Sequence, residues 1–265
     1  MAPRTTPPEA TTFHIEPRPG GAWQTAGWHL TVYPDAGEAV ATFVTQRALA
    51  ARRKAGRRVP GVSGSERARQ VAEQRARTAV RRYAAANGLD RLGTLTYGGD
   101  GCHDPRQVRQ DAAAFFKALR RSQGGSFPYV WVPEWHSGGH GLHLHFAVAR
   151  YLPLTDLRAS WRHGFVHIKR LRPNRGEQGE WSASRTAARY LSKYIAKSFD
   201  KSIPGLHRYE VGQGFAPRRV NAYATSLTEC LETSIAQMGG VRPSQQWSSG
   251  DVEEWAGPPV CWMGW

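Results

Sequence analysis

The stretch 142–148 reads Leu-His-Leu-His-Phe-Ala-Val, and no other segment limits the fold as tightly. Its alternation fits a strand, in which every second side chain shares a face. His143 and His145 then point one way, and Leu144 and Phe146 the other. Upstream, 127–134 reads as another strand ending in Glu134, and the six residues 136–141 between them contain three glycines. That is hairpin spacing, so the two strands are expected to be antiparallel neighbours with Glu134 near the histidines.

Further strands are expected at 28–33, 92–97 and 165–169, and helices at 38–55, 65–86, 104–121, 155–161, 184–199 and 221–238. Asp104-Pro105 reads as a helix start, an Asp cap followed by Pro at the first helical position, with Gln107 completing a capping box. Mixed strands and helices predict an α+β fold, a central antiparallel sheet of about five strands flanked by helices. The expected organisation is a basic, largely helical N-terminal extension over 1–88, a central domain over 89–215, and a C-terminal helix with a Trp-rich tail over 216–265. Residues 1–26 are rich in Pro, Gly and Thr and read as loose.

Thirty-six Lys and Arg against 21 Asp and Glu give a net charge of +15, which points to a polyanionic partner, nucleic acid before an anionic membrane. On the 65–86 helix, Arg67, Arg75, Arg81 and Arg82 are candidate DNA contacts. The three cysteines, Cys102, Cys230 and Cys261, are scattered and form no C-x-x-C pair, which fits a reducing compartment. With no long apolar run and no signal-peptide core, a cytoplasmic protein without membrane association is expected.

Two imidazoles and a carboxylate form an open ligand set for a divalent cation. Oxygen donors favour Mg²⁺, the nitrogens tilt the choice to Mn²⁺, and Zn²⁺ also suits two His and a Glu. His136 and His140, in the glycine-rich loop, read as surface residues. In 184–199, Tyr190, Lys193, Tyr194 and Lys197 recur at i, i+3, i+4 and i+7 and share one helix face, beside an apolar stripe of Ala188, Leu191, Ile195 and Phe199. A phenolate is a competent nucleophile at phosphorus, and a neighbouring Lys is expected to lower the phenol's pKa. No G-x-x-x-x-G-K-[ST] loop is present for ATP.

These motifs, in this order, resemble the His-hydrophobic-His (HUH) endonucleases, specifically rolling-circle replication initiators of plasmids and small DNA phages. Leu92-Gly-Thr-Leu-Thr96 looks like the family's first motif, Glu134 with His143-Leu-His145 like its metal motif, and 190–197 like its catalytic helix in the two-tyrosine form of icosahedral-phage gene A proteins. The stretch 207–215 looks like one found in actinobacterial plasmid initiators. The resemblance implies metal ligation by Glu134, His143 and His145, attack on origin DNA by Tyr194, a second role for Tyr190, and Lys193 and Lys197 as charge partners. It further implies a 5′-phosphotyrosyl intermediate, a 3′-hydroxyl for a host polymerase, and a host helicase, since no helicase domain follows. Conjugative relaxases and single-strand transposases share the chemistry, but relaxases commonly place the tyrosine before the histidines. A basic DNA-binding regulator without catalysis is the reading from another class.

Overall fold

The structure, a computed structural model, describes residues 26–46, 66–172, 182–200, 203, 206–253, 255 and 257–265. The chain divides into two compact units: residues 33–37 with 60–218, and residues 1–32 and 38–59 with 219–265. The division does not follow the linear boundaries at 88 and 215, because N-terminal strands pair with C-terminal ones. The loose reading of 1–26 and the expected cap at Ser65 fall almost wholly outside the described residues.

The larger unit holds β3 (Arg91–Tyr97), β4 (Tyr129–Trp135), β5 (Leu142–Val148), β6 (Gly164–Arg170) and β7 (Glu210–Val211). They form an antiparallel five-stranded sheet in the order β6-β3-β5-β4-β7. Its helices are α1 (Glu66–Ala86), α2 (Pro105–Ser122), α3 (Leu154–Ser160) and α4 (Ser182–Asp200). The fold is α+β, as expected.

Strand alternation divides the sheet's two faces. On one, Leu95, Tyr97, Trp131, Leu144 and Phe146 pack with Val108, Phe115, Phe116 and Leu119 of α2 and with Trp161. Rings of Phe115, Phe116 and Phe146 meet edge to face at 5.0–6.0 Å, a favoured aromatic geometry. On the other, Val130, Val132 and Ala147 pack with Val80, Tyr83 and Ala84 of α1 and Ala188 and Leu191 of α4. Pro133 lies inside β4 yet breaks no ladder there, because β7 pairs only with Val130 and Trp131.

Asp104 caps α2 by accepting from the Arg106 amide, but Gln107 does not close a capping box. Its side chain instead donates to Asp111 Oδ1 at 2.8 Å. Asp111 is buried under the sheet and also accepts from the Tyr97 hydroxyl at 2.8 Å, with His163 Nε2 at 3.5 Å. These contacts offset the cost of a buried carboxylate. Burial first, and then the bond to Asp111, push the Tyr97 phenol well above its ordinary pKa.

The smaller unit corrects the sequence reading in two places. Residues 38–44 form β2 (Glu38–Val44), not a helix, and the rest of that expected helix lies mostly outside the described residues. Residues 220–224 form β8 (Val220–Ala224), so the C-terminal helix is only α5 (Leu227–Gln237), capped by Ser226. The Trp-rich tail supplies β9 (Gln245–Ser248) and β10 (Val260–Gly264). With β1 (Gly27–Tyr33) they build a second five-stranded sheet, β8-β1-β2-β10-β9. The physical reason is non-local pairing. Ala39 and Ala41 of β2 find partners in Met263 and Cys261, at the far end of the chain, and bury with Leu30, Val32 and Ala224.

Gly93 sits opposite Phe146, and a Cβ there would meet Phe146 Cζ at 2.2 Å in the packed face under α2. Gly93→Val is expected to cost about 1–3 kcal/mol of stability through overpacking. Urea unfolding monitored by tryptophan fluorescence measures it; an unchanged midpoint would contradict this packing.

Candidate active site

The β3–β5–β4 register builds the site. Glu134 stands directly opposite His143, and His143 opposite Thr96. One row on, Val132 is opposite His145 and His145 opposite Thr94. Directly paired residues share a face, so the carboxylate, both imidazoles and both hydroxyls stand on the α1/α4 side of the sheet.

Each imidazole is oriented from behind by a threonine. Thr94 Oγ1 lies 3.2 Å from His145 Nδ1, and Thr96 Oγ1 lies 3.3 Å from His143 Nδ1. Such partners fix the ring and leave Nε2 for the open side. His145 Nε2 donates to Glu134 Oε2 at 2.8 Å, so in this state Nδ1 accepts from the Thr94 hydroxyl. His143 Nε2 is buried and has no hydrogen-bond partner. Burial first, then His136 and His145, hold the His143 pKa below its ordinary value, with Glu134 opposing. A neutral imidazole with an unused, buried nitrogen is suited to ligate a cation.

His136 and His140, expected only as surface residues, shape this corner. His136 is exposed, but its ring stacks on His143 with centroids 4.5 Å apart. His140 Nε2 is 3.0 Å from the Tyr97 carbonyl. The loop carrying them is pinned where Gly141 bridges Cys102, with Leu142 N donating to Cys102 O at 2.8 Å. Gly141 has φ +76°, and a Cβ there would meet the Cys102 carbonyl oxygen at 2.4 Å, so glycine is required.

The catalytic-helix residues come from α4. The Tyr194 ring stacks on His145, with centroids 3.6 Å apart and planes 14° from parallel. Tyr190 packs beside it at 5.3 Å. Lys193 is exposed, with Nζ 5.9 Å from the Tyr190 ring centroid, and Lys169 of β6 brings its Nζ to 5.5 Å from the same ring. Lys197 is on the same helix one turn on, and its side chain lies outside the described part of the structure.

The pKa of Tyr194 corrects an expectation. It is raised, first by burial, then by its hydrogen bond with Tyr190 and the charges of Tyr190 and Glu134. The lysines do not offset this because they lie against Tyr190, while the phenol of Tyr194 is turned into the sheet face with the carboxylate nearby.

As the side chains stand, no cluster of three or more His, Cys, Asp or Glu is arranged to hold a metal ion among the described residues. Glu134 and His145 are hydrogen-bonded to each other instead. The donor set nevertheless fits a divalent cation: two imidazoles oriented by hydroxyls, one with an orphaned Nε2, and a carboxylate on the same face. Holding a cation requires His145 to release the Nε2 proton it shares with Glu134.

The arginines proposed from sequence separate. Arg75 is exposed on α1. Arg82 donates to the Tyr33 hydroxyl at 3.0 Å and covers that ring at 3.9 Å, a structural engagement. Arg81 is half-buried, and the Arg67 side chain lies outside the described part of the structure. Thr94, Thr96 and Lys169 are not singled out by the sequence reading. The signal for the threonines is their i, i+2 spacing in Leu92-Gly-Thr-Leu-Thr-Tyr97, which predicts a shared polar face.

The family described as replication-associated protein ORF2/gene 2 protein matches residues 90–199 of this chain. That span contains β3 to β6 and nearly all of α4, and so every residue of the site. No curated protein and no solved structure matches the chain. Among the described residues, no helix is long and apolar enough to cross a membrane.

A pH dependence follows for the metal-free protein. A depressed His143 pKa means the unfolded state binds the proton more readily, so stability is present above the unfolded value of 6.5 and falls as pH drops below it. In His143→Gln this acid-side loss of melting temperature is expected to shrink. An identical pH profile in the two proteins would contradict the assignment.

Proposed function

We propose that this protein initiates DNA replication by nicking one strand of its origin, with Tyr194 as the nucleophile. The observation that carries the reading is the stack of Tyr194 on His145, which sets a phenol against a ligand set of two imidazoles and Glu134. The match to a replication-associated family across residues 90–199 supports the replicative role.

Glu134, His143 and His145 would hold Mn²⁺ or Mg²⁺, which supplies positive charge to the oxygens of the scissile phosphate. Tyr194 Oη attacks phosphorus, the new O–P bond forms, and the bond to the 3′-oxygen breaks. The phosphate stays on tyrosine at the 5′ side, and the 3′-oxygen takes up a proton and leaves as a hydroxyl. Because its pKa is raised, Tyr194 enters the reaction as a neutral phenol, and its proton must leave during attack. The Tyr190 hydroxyl is its hydrogen-bond partner and the first acceptor available. Lys169 and Lys193 set two ammoniums beside this pair, where a phosphate backbone would pass. The released 3′-hydroxyl would prime a host polymerase, with a host helicase opening the duplex. Attack by that hydroxyl on the phosphotyrosine would rejoin the strand, with Tyr190 serving the terminating transfer.

The test is a labelled single-stranded oligonucleotide from the protein's own origin, incubated with Mn²⁺ and run on a denaturing gel. The wild type is expected to give a covalent adduct that Tyr194→Phe reduces to background. Tyr190→Phe is expected to keep the first adduct and impair rejoining; loss of all adduct in this variant would reverse the two roles. No adduct with the wild type would sink the nuclease reading and favour a non-catalytic DNA-binding regulator.

Calorimetric titration with Mn²⁺ is expected to show binding that disappears in a His143→Ala/His145→Ala variant. Affinity should weaken as pH falls, by up to about tenfold per pH unit for each proton released. Binding that persists in the double variant would place the cation elsewhere.

A further inference from the structure

We infer that Phe165 is a stacking platform for a base of single-stranded DNA flanking the scissile phosphate. The inference rests on the nuclease reading above and names the contact by which the same face would hold its substrate.

The row that contains Glu134 and His143 does not stop at Thr96. Thr96 is paired in turn with Phe165 of β6, so carboxylate, imidazole, hydroxyl and phenyl stand in one line across four strands. Phe165 lies two strand spacings from His143, about 10 Å. It is 71% exposed, whereas its neighbours in β6, Val166 and Ile168, turn to the opposite face and pack against the α2 core. The strand's alternation is therefore inverted at Phe165 relative to burial: the large aromatic faces solvent, on the site side.

The occupant is argued from charge and continuity. On the same face, His167 stands opposite Thr94 and Lys169 opposite Leu92, so β6 presents an aromatic, an imidazole and an ammonium in succession. All three are exposed. Lys193 projects beside them from α4, and the whole chain carries +15. An exposed ring with adjoining cations, continuous with a phosphate-cleaving site, matches single-stranded nucleic acid, whose bases stack on aromatics while its phosphates meet ammoniums. β6 is the edge of its sheet, so no further strand flanks this face on that side among the described residues.

Oligothymidylate labelled with fluorescein is the binding probe, since stacking is sequence-tolerant. By anisotropy, Phe165→Ala is expected to weaken binding about ten- to a hundredfold, and Phe165→Tyr or Phe165→Trp to restore it. An abasic position that weakens wild-type binding should have no further effect in Phe165→Ala, since both changes remove the same stack. Unchanged affinity in Phe165→Ala, with circular dichroism showing a folded protein, would overturn the inference. So would an unchanged affinity accompanied by a shift from dimer to monomer, which would mark Phe165 as a contact between copies. The two readings fail separately. Adduct formation by Phe165→Ala at the wild-type rate and affinity would remove the platform but leave the nuclease. Loss of binding in Phe165→Ala, with no adduct from the wild type, would keep the platform and remove the nuclease.

Discussion

The pairing register of β3, β5 and β4 is the constraint on which the rest of the larger unit depends. A sheet places directly paired residues on one face, so a single register brings Glu134, His143 and Thr96 into one row and His145 and Thr94 into the next. A slip by one residue would turn both imidazoles into the aromatic core under α2 and expose Leu144 and Phe146. The hydrophobic face therefore enforces the polar one. Leu95, Trp131, Leu144 and Phe146, buried with Phe115 and Phe116, make any other alignment costly.

Onto that platform α4 delivers the tyrosines. Ala188 and Leu191 seat the helix against Val130, Val132 and Ala147, and the same turns carry Tyr190 and Tyr194 over the histidines. The resulting electrostatics are those of a closed resting state. Glu134 is bonded to His145, His143 is held neutral, and Tyr194 is held protonated. Each of these three conditions responds to positive charge. A cation among the carboxylate and imidazoles would relieve the desolvated His143 nitrogen and weaken the repulsion that keeps the phenol protonated.

Much of this site is legible in the sequence because its parts are local. Alternation in 142–148 gives the common face of the histidines, and the helical spacing of 190–197 gives the common face of the tyrosines. Asp104-Pro105 marks a helix start for the same reason, since capping involves neighbours in the chain. The smaller unit is less legible. Residues 38–44 and 220–224 read locally as helix, and the Trp-rich tail is obscure, because their strands pair with partners far away in sequence. Ala39 with Met263 and Trp28 with Ala224 are pairings that no local window contains.

The sequence by itself determined which side chains carry chemistry and which of their neighbours share a face, because periodicity is a property of the backbone's own geometry. Only the tertiary structure decided what those side chains meet. It set Thr94 and Thr96 behind the imidazoles, closed Glu134 onto His145, brought Lys169 of β6 to Tyr190, and left Phe165 bare at the end of the row. Those contacts join strands and helices that are distant in the chain, and they follow from sheet register and helix docking, which are settled by packing of the whole unit rather than by any segment of it.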